Sequence, residues 1–399
     1  MRRIALIGLY SIPNIGDRIL CQTSKYLIGK TGVEVAMTEV DVMPRTRRWY
    51  RGRLERFKFR LSRLLVRAGK KIFSYENGST FRYVFEYFTW WLRLNRYYRR
   101  ALANTDAIVF AGGGFLKFRT QGLNYYVEQI VRLAEKHNKP VMFNAVGIEG
   151  YDDSDVRCQK LKAAINSPCV KVITTRDDID ILETRYCNNP ETVTALVGDP
   201  ALWTPECFET KRNTQADTIG INVIRGKIYQ DYGNSLSPNE LKQFYVDLLQ
   251  ELTRRGEKWV LFSNGMSGDC KFALEILEEL HVNPDDFFLP APRYSREFLD
   301  QLKNFRVVFG ARLHACITAF SMGIPVVGLI WSEKAEIFSR LLDESEYYFR
   351  QNDLDPLRVA DSLIESAGRT IEQSKRDELR NLTKVYLEHF LDEYVNWKA

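Results

Sequence analysis

The chain reads as an α/β protein made of two doubly wound, Rossmann-like domains that face a cleft, with a long helix at the C-terminus. Three observations predict this. Short continuous apolar runs alternate with helix-period segments, the pattern of parallel strands covered on both faces. The alternation pauses over residues 199–217, a stretch that opens with Asp199-Pro200 and turns polar, and then restarts. At 399 residues the chain exceeds one ordinary core and suits two domains of about 150–200 residues each. The expected division is 1–205 and 206–399, with an insert at about 45–100.

In the first domain, residues 4–9 read as a buried strand, 15–29 as the helix after it and 33–40 as a second strand. Beyond the insert, 106–111 is a strand ending at Gly112-Gly113-Gly114, which reads as a turn. Helical patterns at 125–137, 155–166 and 178–186 separate strands at 141–145, 170–174 and 192–197. The second domain repeats the alternation, with strands at 218–223, 259–262, 307–309 and 326–329. Its helical segments fall at 238–254, 270–280, 295–302 and 313–322, then from about 334, from 356 and over 370–395.

Charge is unevenly distributed. The total is +6, but residues 45–100 hold 17 Lys/Arg against Glu55, Glu76 and Glu86, or +14, which leaves −8 for the rest. The seven cysteines are scattered and show no Cys-x-x-Cys or Cys/His ligand spacing. Neither a disulfide framework nor a metal site is expected, and a reducing cytoplasm is the simpler setting. The apolar run near the N-terminus is the length of a buried strand and lacks a cleavage site, so it does not read as a signal peptide. No run of about 20 apolar residues exists to make a transmembrane helix.

Chemistry-bearing residues gather where strands give way to helices, the edge at which open α/β sheets bind ligands. Asn14-Ile15-Gly16-Asp17 follows the first strand, where free N–H groups of the helix can meet an anion or a hydroxyl; alternatively Asn14 and Asp17 only cap the helix. It is not a dinucleotide fingerprint. Gly113 and Gly114 allow close backbone approach to a ligand, or simply a tight turn. Arg176 either contacts a substrate or forms an internal ion pair with Asp177. Arg312-Leu313-His314 is the sharpest set: a guanidinium for two parallel bonds to an oxyanion, and an imidazole for proton transfer, at one helix start. Lys334 and Arg225 fall at neighbouring strand ends, and three cations there suit a compact, multiply charged anion.

The insert mixes its cations with aromatics, among them Trp49, Trp90, Trp91, Tyr97 and Tyr98. That composition fits an anionic membrane surface, where Arg and Lys meet headgroups and Trp and Tyr settle at the interface. The competing readings are a helical excursion whose aromatics pack on the body, and nucleic acid, which the acidic remainder of the chain disfavours.

Together, Asn14-Ile15-Gly16-Asp17, Gly112-Gly113-Gly114, Arg176-Asp177, Asp199-Pro200-Ala201-Leu202, Arg312-Leu313-His314-Ala315 and Gly323-Ile324-Pro325 through Lys334 resemble the polysaccharide pyruvyltransferase family, over about residues 4–340. The resemblance implies a GT-B-like fold and a bacterial enzyme of capsule or exopolysaccharide synthesis. It implies phosphoenolpyruvate as donor substrate and a pyruvate ketal on a sugar as product; no cofactor is expected, and no metal, since no ligand cluster is visible in the sequence. It also implies that Arg312 and His314 contact the donor; Arg225 carries over more weakly. On this reading Leu313 and Lys334 complete the donor site, Asp17 is a base for an acceptor hydroxyl, and Asn14, Gly16, Gly113, Gly114 and Arg176 line the acceptor. The insert is outside the family pattern. It places the protein at the inner face of the plasma membrane, with the acceptor sugar on a polyprenyl diphosphate. Two rivals share the same sequence: a glycosyltransferase using a nucleotide sugar, with Glu333 or Glu336 on the ribose, and a non-catalytic membrane-bound assembly partner.

Overall fold

The computed structural model describes residues 1–44, 53–73, 78–119 and 122–395, and the side chains of Leu54, Glu55 and Lys70 are outside it. Arg45, Trp49 and Glu76 of the insert also lie outside the described residues. By internal contacts the chain forms two compact units: Met1–Ser11, Ser24–Gly198 and Asn381–Ala399 in one, Ile12–Thr23 and Asp199–Arg380 in the other. The expected cut at 205/206 thus meets a chain that changes unit at 198/199. The chain also lends Ile12–Thr23 to the second unit and returns to the first at Asn381.

The first unit is built on seven strands: β1 (Arg2–Gly8), β2 (Val35–Asp41), β3 (Ala107–Phe110), β4 (Gly113–Leu116), β5 (Val141–Ile148), β6 (Val170–Thr175) and β7 (Val193–Leu196). Their order is β2-β1-β3-β5-β6-β7, with β4 also on β5, and every pairing is parallel. β3 and β5 are buried at every residue, as their unbroken apolar runs require. The glycines 112–114 do more than turn the chain at the end of β3. Gly112 and Gly113 take φ of 83° and 91°, bend the chain and start β4, which meets β5 at Gly113↔Val146. The helix expected at 178–186 is a short α-turn (Ile179–Ile181) running into a π-helical turn (Leu182–Tyr186).

Helices α1 (Ile15–Lys30), α2 (Arg53–Ile72), α3 (Thr80–Ala101), α4 (Asn124–Lys136) and α5 (Val156–Ile165) accompany these strands. The insert is thus a helical hairpin, α2 and α3. Ser79 caps α3 by accepting from the Arg82 N–H at 3.3 Å. One face of α3 packs on the unit. Tyr98 donates to the Val42 carbonyl at 2.6 Å, Tyr97 accepts from the Asp41 N–H at 3.0 Å, and Tyr83 stacks on Tyr125. Tyr83 also donates to both oxygens of Glu128, and burial lifts the phenol and this carboxyl above their ordinary pKa values.

The second unit holds β8 (Thr218–Asn222), β9 (Trp259–Phe262), β10 (Phe305–Gly310), β11 (Val326–Ile330) and β12 (Tyr348–Arg350), in the order β12-β11-β10-β8-β9, all parallel. β12 is unanticipated by the sequence; three residues show too little period to read. Alternate residues feed two cores, Val327 and Leu329 of β11 on one face and Val326 and Ile330 on the other. The second core includes Ile15 and Ile19 of α1, which explains why Ile12–Thr23 belongs to this unit.

Candidate active site

The strand order of the second sheet reverses between β8 and β10. At such a switch point the connections leave in opposite directions and open a crevice beyond the carboxyl ends of the strands. Arg225 lies just past β8 and Arg312 just past β10; Lys334 follows β11, the next strand over. The three cations therefore share one edge of one sheet. Trp331 ties two of these loops together by donating to the Ala311 carbonyl at 2.6 Å.

Arg312 is the residue preceding the helix Leu313–Ser321. Its backbone N–H donates to Asn222 Oδ1 at 2.9 Å, a bridge from β8 to the end of β10. Its guanidinium is not displayed to solvent. The side chain is 13% exposed and donates through Nε (2.9 Å) and Nη2 (2.6 Å) to both oxygens of Asp269, which has no exposure at all. Asp269 Oδ1 also accepts the Arg225 backbone N–H at 3.0 Å. A guanidinium has five N–H donors, so the pairing fixes one edge and leaves three donors that Asp269 does not use. Asp269 is a site residue that sequence reasoning missed. The Arg225 guanidinium lies outside this buried pair, donating to Asp231 Oδ2 at 3.0 and 2.7 Å, and is about one-third exposed.

His314 is in the first turn of the same helix, whose leading N–H groups have no acceptor within it. The ring sits against Gly16 so closely that a Cβ there would lie 2.3 Å from His314 Cβ and 2.5 Å from Nδ1. His314 Nε2 is 3.9 Å from Asp199 Oδ2, and the two side chains are 10% and 2% exposed. Asp199 Oδ1 accepts the Ala201 N–H at 2.7 Å, which fixes the carboxylate. The start of α1 is fixed too. Asn14 donates to Asp17 Oδ2 at 3.0 Å, the Gly16 N–H donates to Asn14 Oδ1 at 3.2 Å, and the Ile15 N–H donates to the Asn264 carbonyl at 3.1 Å.

The structure thus brings Asn14, Gly16, Asp17, Arg225, Arg312, Leu313, His314 and Lys334 into one unit, with Asp199 and Asp269. Lys334 is half-buried in the first turn of the helix Glu333–Leu341. Gly113, Gly114 and Arg176 belong to the other unit. There Arg176 is buried, 4.0 Å from Asp177, whose carboxylate accepts the Ile148 N–H; this is the internal ion pair. No Cβ neighbour lies within 4 Å at Gly113, whereas at Gly114 a Cβ would strike Lys117. Of the two acids offered for a ribose, Glu336 is paired with Arg350 and Glu333 is exposed. Cys316 is buried, and burial pushes its thiol up to about 12. A surface hollow of about 320 Å³ beside Lys242, Glu279 and His281 contains none of these residues. Among the described residues no group of three or more His, Cys, Asp or Glu is placed to hold a metal ion.

Two parallel-sheet, doubly wound units define the class, a GT-B-like α/β protein, and solved structures agree. A putative UDP-N-acetylglucosamine 2-epimerase from Listeria monocytogenes superposes with a TM-score of 0.60 at 10% identity, covering 100% of this chain and 97% of its own. The UDP-GlcNAc 2-epimerase from Methanocaldococcus jannaschii gives 0.58 at 10% identity, covering 97% and 99%. A UDP-forming trehalose-phosphate synthase from Burkholderia xenovorans gives 0.52 at 12% identity, covering 99% of each. At such identities the likeness is one of fold. No curated protein matches the chain. The family model for polysaccharide pyruvyl transferase matches residues 14–333, and the chain belongs to that family. The match begins at Asn14, takes in Asp199, Asp269, Arg312 and His314, and ends just before Lys334.

Proposed function

We propose that the protein transfers pyruvate from phosphoenolpyruvate to two hydroxyls of one sugar, closing a cyclic ketal and releasing phosphate. The observation that carries this is Arg312 at the switch point, one edge fixed by Asp269 and His314 two residues on. In this reading the second unit holds the donor, and Asn14, Gly16 and Asp17 of the same unit, expected in the first, meet the acceptor. Arg312 and Arg225, with Lys334, take the carboxylate and phosphate, and Leu313 packs beside them. Donor binding draws the one-third-exposed Arg225 guanidinium from Asp231. No cofactor and no metal enters the scheme, because the cations supply the positive charge.

His314, protonated and facing the Asp199 carboxylate, gives its proton to the methylene carbon. The double-bond electrons form the new C–H bond, and C2 becomes an oxocarbenium centre. One sugar hydroxyl adds to C2 and passes its proton to Asp17. The C2–O bond to phosphate then breaks, the second hydroxyl adds, and its proton leaves with the phosphate. Protonating carbon is the demanding step, and a positioned acid is worth about 10²–10⁴-fold. We place the sugar on a polyprenyl diphosphate at the inner membrane face.

The test is incubation with phosphoenolpyruvate and lipid-linked oligosaccharides, followed by mass spectrometry. A gain equal to pyruvic acid less one water, with equimolar phosphate, is the expected result. Thermal stabilisation by UDP- or GDP-sugars but not by phosphoenolpyruvate would instead point to glycosyl transfer.

A further inference from the structure

The exposed surface of the α2–α3 hairpin is chemically unlike the rest of the described protein. Of twelve exposed large apolar side chains, seven lie on these two helices: Phe57, Leu64 and Ile72 on α2, and Phe81, Val84, Phe88 and Trp91 on α3. Their exposures run from 39% at Trp91 to 71% at Phe81. Positions 81, 84, 88 and 91 are spaced by three and four, so they form one stripe along α3. Phe88 and Trp91 stack on each other within it.

The cations form a second stripe. Arg53, Arg56, Arg60, Arg63, Arg67 and Lys71 are all exposed and repeat every three or four residues along α2. Phe57, Leu64 and Ile72 each directly follow one of them, so an apolar line runs beside the cationic one. Arg96, Arg99 and Arg100 continue the charge at the end of α3. Among the described side chains of the two helices the acid is Glu86, and it is occupied on the other side: it pairs with Arg82 at 3.1 Å and accepts from Tyr125 at 2.5 Å. The buried aromatics Tyr83, Tyr97 and Tyr98 hold α3 to its unit, so the exposed Val84, Phe88 and Trp91 are surplus to folding. The helices also hold each other, since Gly69 lets Phe85 approach and Phe73 contacts both Phe81 and Phe85.

We propose that this hairpin is a docking surface for an anionic lipid bilayer, lying in the interface with its apolar stripe among the acyl chains and its cations on the headgroups. Charge and shape select that occupant. A nucleic-acid groove has no use for a line of Phe, Val, Leu and Ile, whereas interfacial helices combine apolar and cationic faces in this way. Among the described residues no helix is long and apolar enough to cross a membrane, so the contact is peripheral.

Flotation of the full chain with vesicles tests this, with no substrate present. Vesicles of mixed phosphatidylglycerol and phosphatidylcholine should carry the protein. Pure phosphatidylcholine should carry at least about tenfold less, because headgroup charge supplies much of the attraction. A triple variant V84S/F88S/W91S and a triple variant R56E/R60E/R63E should each lose at least about tenfold on the mixed vesicles. Both sets are exposed, and an unchanged circular dichroism spectrum confirms folding. Equal flotation on both lipids, retention by both variants, or displacement from vesicles by single-stranded oligonucleotide would overturn the proposal. The readout involves no pyruvyl transfer, so failure here leaves the catalytic reading standing, and failure of that reading leaves this one standing.

Discussion

At position 269 a carboxylate without solvent contact holds groups from two strand ends, the Arg225 backbone and the Arg312 guanidinium. A buried charge is tolerable only with its partner, so neutralising one side of this pair exposes the cost of the other. Asp269→Asn should destabilise the protein by about 3–5 kcal/mol, read by urea denaturation, and should weaken protection by phosphoenolpyruvate in thermal shift. Unchanged donor protection in a folded variant would remove Asp269 as the positioning residue for Arg312. His314 makes the contrasting case, because the proposed scheme gives it proton transfer. His314→Ala should lower kcat by about 10²–10⁴-fold while donor protection persists. Wild-type turnover would exclude His314 as the acid. The sequence showed Arg312 and His314 because they sit together at one strand-to-helix junction. It did not show Asp269 or the facing role of Asp199, which are 43 and 115 residues away from their partners. Asp269 even reads as a loop residue just ahead of a helix expected at 270, although that helix starts at Ser267. Pairings of this range are set by the fold and leave no local signal.

Among the elements, α1 and the helix Leu313–Ser321 meet at Gly16 and His314, where the approach tolerates no Cβ. The clash is with the near atoms of the imidazole, which a rotamer change cannot carry away. Gly16→Ala should therefore displace His314, lowering turnover more than tenfold and stability by about 1–3 kcal/mol, the usual range for overpacking. A fully active and stable Gly16→Ala protein would show that the ring sits elsewhere in solution. Gly16 was legible as the opening of a helix and its true constraint was not, since a neighbour nearly 300 residues away imposes it. Elements with a strong period were legible: the buried strands and long helices fall within a few residues of where the sequence puts them. β4 was not, because two glycines bend the chain into a strand that the residue types disfavour. For the hairpin, the sequence offered packing on the body and an exposed basic-aromatic face as rivals. The structure contains both, on opposite sides of α3.

Over the whole molecule, the two units are not consecutive lengths of chain. Ile15 and Ile19, at most 1% exposed, pack in a core of the second unit with Ala201, Leu202, Phe298, Leu299 and Phe320. The segment 381–399 returns to the first unit, where Leu382 and Tyr386 pack on Ala145, Ala195 and Val197, and Thr383 donates to the Gly198 carbonyl. A fragment cut where composition suggests, 206–399, therefore lacks Ile15, Ile19, Ala201 and Leu202 and carries a C-terminal stretch without its own core. Burying one isoleucine side chain is worth about 1.5–3 kcal/mol, so the two isoleucines alone represent about 3–6 kcal/mol. A domain is typically stable by only about 5–15 kcal/mol, so the fragment should populate unfolded or molten states. Near-ultraviolet circular dichroism and limited proteolysis of 206–399 should show lost tertiary signal and rapid cleavage. A cooperative, protease-resistant fragment would show that the second unit's core closes without α1. If the fragment behaves as expected, the start of α1 is at once part of that core and the wall against His314, so stability of the second unit and the position of His314 depend on the same few residues.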